Sequence, residues 1–99
     1  MAFVQIVRSK SLSREQYQAV RDQATGGKLL DGELFFVDGF QGDEIWSIDG
    51  WESREACDRG MEQWGPAMQA AGISMDDITL EEFEIDQLHL GARERAAVS

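Results

Sequence analysis

The chain has 99 residues, 42% of them hydrophobic, which is enough for one ordinary core and too many for a disordered chain. Nineteen acidic residues against nine scattered basic ones give a formal net charge of −10, a balance that repels phosphate and so argues against nucleic-acid binding and against docking on an anionic membrane. The lone cysteine, Cys57, leaves no intramolecular disulfide to form and suits a reducing cytoplasm, and no apolar run is long enough to span a bilayer.

Met1 to Arg8 lacks a basic start and a cleavage site, so it reads as a strand (Phe3 to Arg8) rather than a signal peptide. Ser13 follows as a helix N-cap. Gln16, three residues on, completes a capping box, and Leu12 can staple against Tyr17. Tyr17, Val20 and Ala24 recur at helical spacing until Gly26-Gly27 ends the first helix near Gln23–Thr25. Glu33 to Phe40 and Glu44 to Trp51 read as antiparallel strands joined by the short turn Gln41-Gly42-Asp43. Ser53 caps a second helix whose apolar stripe is Cys57, Met61, Trp64 and Met68. Gly65-Pro66 is expected to break it, because proline removes a backbone donor and clashes with the preceding turn, with Pro66 opening a short final turn that Gly72 closes. Thr79 to Leu90 is expected to be the fourth strand, with a bulge near Asp86-Gln87 that brings Phe83, Ile85, Leu88 and Leu90 to one side. One domain over residues 1–91 and a loose polar tail over 92–99 complete the reading.

The order β-α-β-β-α-β predicts an α+β, ferredoxin-like fold, an antiparallel sheet with both helices on one face. Large apolar residues mark both faces of the middle strands: Leu34, Phe36 and Phe40 against Phe35 and Val37, and Trp46 and Ile48 against Ile45 and Trp51. A monomer would leave one such face wet, so a homodimer formed sheet to sheet is expected.

Gly32-Glu33-Leu34-Phe35-Phe36, the junction Trp51-Glu52-Ser53-Arg54-Glu55-Ala56, Gly65-Pro66-Ala67 and Ala71-Gly72 together resemble the dimeric α/β-barrel superfamily, in particular its antibiotic-biosynthesis-monooxygenase-like branch, over roughly Phe3 to Leu90. That superfamily includes cofactor-free monooxygenases of aromatic polyketides, polyketide cyclases and haem-degrading enzymes. Relatives often carry a histidine where this chain has Phe36 and another near Asp86, and haem-degrading members need an iron-ligating histidine on the second helix. None of these is present, so the resemblance does not extend to haem degradation.

The candidate catalytic residues are Asp49 and His89. A carboxylate among apolar residues holds its proton to higher pH and can exchange it, and histidine is the usual proton acceptor near neutrality. Against this, Asp49 and Asp38 each stand beside a glycine and can simply end a strand, and His89 can face solvent. The candidate ligand contacts are Trp46, Trp51, Gln5, Phe36 and Asp38. Indole N–H groups can orient a phenol or quinone oxygen, but Trp51 can equally anchor the core and Gln5 can satisfy a strand neighbour. Tyr17, Cys57, Met61, Trp64 and Met68 fit the core, and the acidic run Glu81, Glu82, Glu84 and Asp86 fits a solvated face rather than a metal site. No phosphate loop, paired-cysteine site or serine elbow occurs, so no cofactor and no metal are expected. The resemblance implies a homodimer binding an apolar or aromatic small molecule, as a cofactor-independent monooxygenase or cyclase. The alternative is a non-catalytic ligand-binding or interaction protein on the same fold.

Overall fold

The computed structural model describes residues 1–91; the expected tail, 92–99, lies outside the described residues. The elements run β1 (Phe3–Ser9), α1 (Arg14–Thr25), β2 (Glu33–Gln41), β3 (Glu44–Trp51), α2 (Arg54–Ala70), a short 3-10 turn (Met75–Asp77) and β4 (Ile78–Glu84). The strands form one antiparallel sheet in the order β2-β3-β1-β4, which is the ferredoxin-like arrangement.

Local chemistry sets the helix starts. The Gln16 amide donates to Ser13 Oγ at 3.1 Å while the Ser13 amide donates to Gln16 Oε1 at 3.0 Å, so the capping box closes in both directions. Gly26, at φ 64°, ends α1 in the left-handed region that glycine enters without strain. The Ala56 amide donates to Ser53 Oγ at 3.1 Å and opens α2.

Alternation along the strands sorts the side chains. Gln5, Val7, Ile45, Ser47, Asp49, Phe36 and Phe40 face the helices. Ile6, Arg8, Phe35, Val37, Trp46, Ile48 and Phe83 occupy the opposite face. Leu34 falls at an irregularity of register between Glu33 and Phe35. The helix side carries two core clusters. One joins Leu12, Tyr17, Val20, Ile45, Trp64 and Ala67, with Trp64 stacked between Tyr17 and Phe36. The other joins Phe3, Trp51, Ala56 and Cys57.

Three expectations need correction. Gly65-Pro66 does not break α2, which continues to Ala70. Glu62, whose carbonyl loses its donor, lies on the exposed side of the helix, and Trp64 and Ala67 on either side of Gly65-Pro66 hold the helix to the core. Its buried stripe is Ala56, Cys57, Gly60, Trp64 and Ala67, and Met61 and Met68 lie to one side of it. The fourth strand ends at Glu84, not Leu90, and there is no bulge at Asp86-Gln87. β1 has run out by then: Phe3 pairs with Glu84, and the Ile85 amide donating to the Ala2 carbonyl at 3.0 Å is the last rung.

Candidate functional site

A cavity of about 380 Å³ lies between the sheet and the helices, lined by β1, β3 and β4 and by α1 and α2. A second depression, of about 340 Å³, sits among Lys10, Arg14 and Gly42 on the surface and holds no buried titratable group. The cavity between sheet and helices is therefore the candidate site.

Its floor follows from strand register. Phe36 pairs with Asp49, Asp49 with Gln5, and Gln5 with Glu82, so one row of inward-facing residues crosses all four strands. Asp49 is buried, at 4% exposure. Burial pushes its carboxyl from 3.8 up to about 7, and the charge of Glu33 adds to that, while the indole N–H that Trp51 donates to Asp49 Oδ2 opposes it. A carboxyl held there can accept or return a proton near neutral pH. Cys57 lines the same cavity, but burial and then the nearby Asp49 raise its thiol to about 11, so it remains protonated.

Arg54, at the first position of α2, reaches Glu82 on β4 with two hydrogen bonds of 2.7 and 2.8 Å, and its guanidinium lies 4.4 Å from the centre of the Phe3 ring. Arg54 and then the Gln5 amide hold the Glu82 carboxyl below its ordinary range. The pair is a polar clasp on the wall of a chamber that also includes Tyr17, Trp64, Met61 and Met68.

The structure brings Gln5, Phe36 and Asp49 together on the cavity wall. Trp51 is fully buried behind Asp49 and orients its carboxylate. Asp38 faces the helices from the edge strand, where it accepts a 2.8 Å hydrogen bond from Arg21 and lies close to Tyr17. Trp46 stands on the opposite face of the sheet, under the Arg8 guanidinium at 4.8 Å, and its Nε1 donates to Glu44 at 2.9 Å. His89 is exposed beyond the end of β4, with Gln87 Oε1 3.2 Å from its ring nitrogen. Tyr17, Met61 and the Arg54–Glu82 clasp were not among the expected site residues. The signal for the site was the polar residues Gln5, Ser47 and Asp49, all at inward-facing positions of β1 and β3. The acidic run on β4 is exposed, and among the described residues no group of three or more His, Cys, Asp or Glu side chains could hold a metal ion.

No family model and no curated protein matches the chain. Solved structures do. The chain superposes on a protein described as an antibiotic biosynthesis monooxygenase from Chloroflexus aurantiacus with a TM-score of 0.65 and 15% identity, over 90% of this chain and 97% of that one. A variant of SnoaB, a cofactor-independent oxygenase from Streptomyces nogalater, gives a TM-score of 0.66 and 16% identity, over 88% and 95%. A protein of unknown function from Nitrosomonas europaea gives 0.68 and 14%, over 92% and 95%. The chain thus has the ferredoxin-like fold of antibiotic-biosynthesis-monooxygenase-like proteins.

Proposed function

We propose that the protein is a homodimeric α/β-barrel enzyme that encloses an aromatic, polyketide-like molecule and removes a proton from it without a cofactor. The observation that carries this reading is Asp49, a buried carboxyl raised to about 7 inside an apolar cavity of about 380 Å³. An electron-rich phenol or anthrone, once deprotonated, reacts with dioxygen itself. A ring CH₂ becomes C=O, one oxygen atom enters the product, and the other leaves as water with the two hydrogens. The protein need supply only a dry chamber, a proton acceptor and orientation. Cyclisation of a polyketide chain makes the same demand for an acidic C–H to be deprotonated.

The similarity to the cofactor-independent oxygenase from Streptomyces nogalater supports this reading at the level of fold. We place the protein in the cytoplasm, in keeping with its free buried Cys57. Among the described residues no helix is long and apolar enough to cross a membrane.

The test is a thermal-shift screen against phenols, anthrones and naphthoquinones, followed by oxygen uptake with any class that stabilises the fold. A saturable shift, with uptake that falls at least a hundredfold in Asp49→Asn while binding persists, is the expected result. Binding with no turnover in wild type or variant would instead identify a non-catalytic carrier on the same fold.

A further inference from the structure

Asp49 is the one buried carboxylate among the described residues, and none of their cations pairs with it. Three other carboxylates of the sheet each have an arginine: Asp38 has Arg21, Glu81 has Arg8 and Glu82 has Arg54. Asp49 has the indole N–H of Trp51 on Oδ2 and its own backbone N–H nearby. No side chain donates to Oδ1, and that oxygen is not among the buried atoms shut off from solvent, so it opens on the cavity that Asp49 lines. A buried charge without a counter-ion is costly, and that cost holds the carboxyl at about 7.

The rest of the lining defines which cation fits. Arg54 is its only basic residue, and both of its hydrogen bonds go to Glu82. Asp58 also lines the chamber, so an anionic ligand would meet three acids (Asp49, Asp58, Glu82) and one engaged arginine, in a chain of net charge −10. A bare metal ion is no better served, since no group of three or more His, Cys, Asp or Glu side chains among the described residues could hold one. The remaining wall is largely apolar. Phe36 is the partner of Asp49 on β2, Trp64 stacks on it with ring centres 6.2 Å apart, and Met61 and Met68 line the same chamber. Such a wall takes a carbon frame, and aromatic faces also favour a cationic head.

We propose that the cavity binds an apolar amine, with the ammonium paired to Asp49 Oδ1 and the carbon frame against Phe36 and Trp64. The inference goes beyond the proton-removal reading, because an ammonium on Asp49 makes the carboxylate a counter-ion rather than a base. Binding below neutrality then expels the carboxyl proton, so affinity is tied to pH. The charged and titratable groups around Asp49 are Tyr17 on α1, Glu33 on β2, Cys57 and Asp58 on α2, and Glu82 on β4 with Arg54 clasping it. Burial keeps Tyr17 and Cys57 protonated, and the acids are common to wild type and Asp49→Asn.

The experiment is calorimetric titration of wild type and Asp49→Asn with three matched probes: naphthylmethylamine, naphthylmethanol and naphthoate. At pH 8 wild type is expected to bind the amine at least about tenfold more tightly than the alcohol, and the carboxylate most weakly. That preference should shrink as the pH falls through about 7, because a protonated Asp49 must give up its proton to pair with the ammonium. In buffers of different ionisation heat near pH 6.5, amine binding should release protons from wild type and none from Asp49→Asn, which should also bind amine and alcohol alike. Equal binding of amine and alcohol by wild type at pH 8 would overturn the proposal while leaving an aromatic-ligand cavity in place. An amine preference that survives in Asp49→Asn would overturn it too, by placing the ammonium on Asp58 or Glu82. Failure of wild type to bind any of the three probes would overturn both this inference and the aromatic-ligand reading.

Discussion

Asp49 should reveal itself through stability as well as activity. Its carboxyl sits at about 7 in the folded chain against 3.8 in a solvated aspartate, so between those values the native state holds a proton that the unfolded state has lost. The stability preserved by the protonated form is therefore fully present below about pH 4 and is lost as the pH rises through about 7. The whole displacement corresponds to roughly 4 kcal/mol. Several groups face Asp49 from neighbouring elements: Glu33 at the start of β2, Trp51 on β3, Cys57 on α2, and Gln5 and Glu82 in the same row, with Arg54 clasping Glu82. Cys57 stays protonated throughout this window, and the titrations of Glu33 and Glu82 are largely common to wild type and variant. Asp49→Asn remains neutral at every pH and can still accept from Trp51. Its melting temperature relative to wild type should climb between pH 4 and pH 7 and level off above that. A difference that is flat with pH would show that Asp49 is solvated in the folded chain. The row also marks how far the site could be read in advance. Strand alternation puts Gln5 and Asp49 on one face, whereas the roles of Tyr17 and Arg54 depend on where α1 and α2 cross the sheet, which no local pattern encodes. Trp46 illustrates the same gap. Its aromatic chemistry suits a ligand, but its position in β3 turns it to the other face.

Along α2, three sites separate backbone preference from packing. A side-chain carbon at Gly60 would run into the indole of Trp51, which is fully buried and cannot retreat. Alanine gains up to about 1 kcal/mol over glycine in a helix, but overpacking a rigid core costs about 1–3 kcal/mol, so Gly60→Ala should lose stability on balance. Gly65 has nothing within 4 Å of such a carbon and is exposed, so Gly65→Ala should gain up to about 1 kcal/mol. Pro66→Ala returns a backbone donor to the helix and should add roughly 1–2 kcal/mol after the loss of proline's restraint on the unfolded chain. Urea unfolding of the three variants checks all the signs together. A neutral Gly60→Ala would mean that Trp51 can shift aside. The helix shows where local rules stop. Its cap at Ser53 is visible in the residues, as are the capping box of α1 and the hairpin of β2 and β3, because each depends on neighbours a few positions apart; of its buried stripe only Cys57 and Trp64 were. Its continuity through Pro66 depends instead on tertiary anchoring by Trp64 and Ala67. The end of β4 at Glu84 likewise depends on the length of β1, a partner some 75 residues away in sequence.

At the scale of the molecule, one sheet face is covered by helices and the other is bare among the described residues. Phe35, Val37, Trp46, Ile48 and Phe83 crowd the bare face, with Val37 at 56% and Phe83 at 55% exposure. Phe35 lies flat on Gly50, where a side-chain carbon would overlap its ring, so the surface there is smooth enough for a second sheet to approach. Arg8 holds the rim, paired to Glu81 and stacked on Trp46. A patch of this kind fits a second copy of the same chain, and its cost is that two protomers each of net charge −10 must meet. Apolar burial has to outweigh that repulsion, and salt weakens only the repulsion. The dimer should therefore tighten as ionic strength rises. Wild type should sediment at twice the 11.1 kDa chain mass. Val37→Glu would place an unpaired carboxylate from each copy in the apolar seam, at a cost of about 3 kcal/mol or more, and should weaken association at least a hundredfold. Since Val37 is exposed in the single chain, the variant should keep its helical and strand content. Sedimentation equilibrium across a salt series measures all of this. A wild-type chain that stays single at tens of micromolar in high salt, or a Val37→Glu variant that dimerises as tightly as wild type, would show that this face serves something other than self-association.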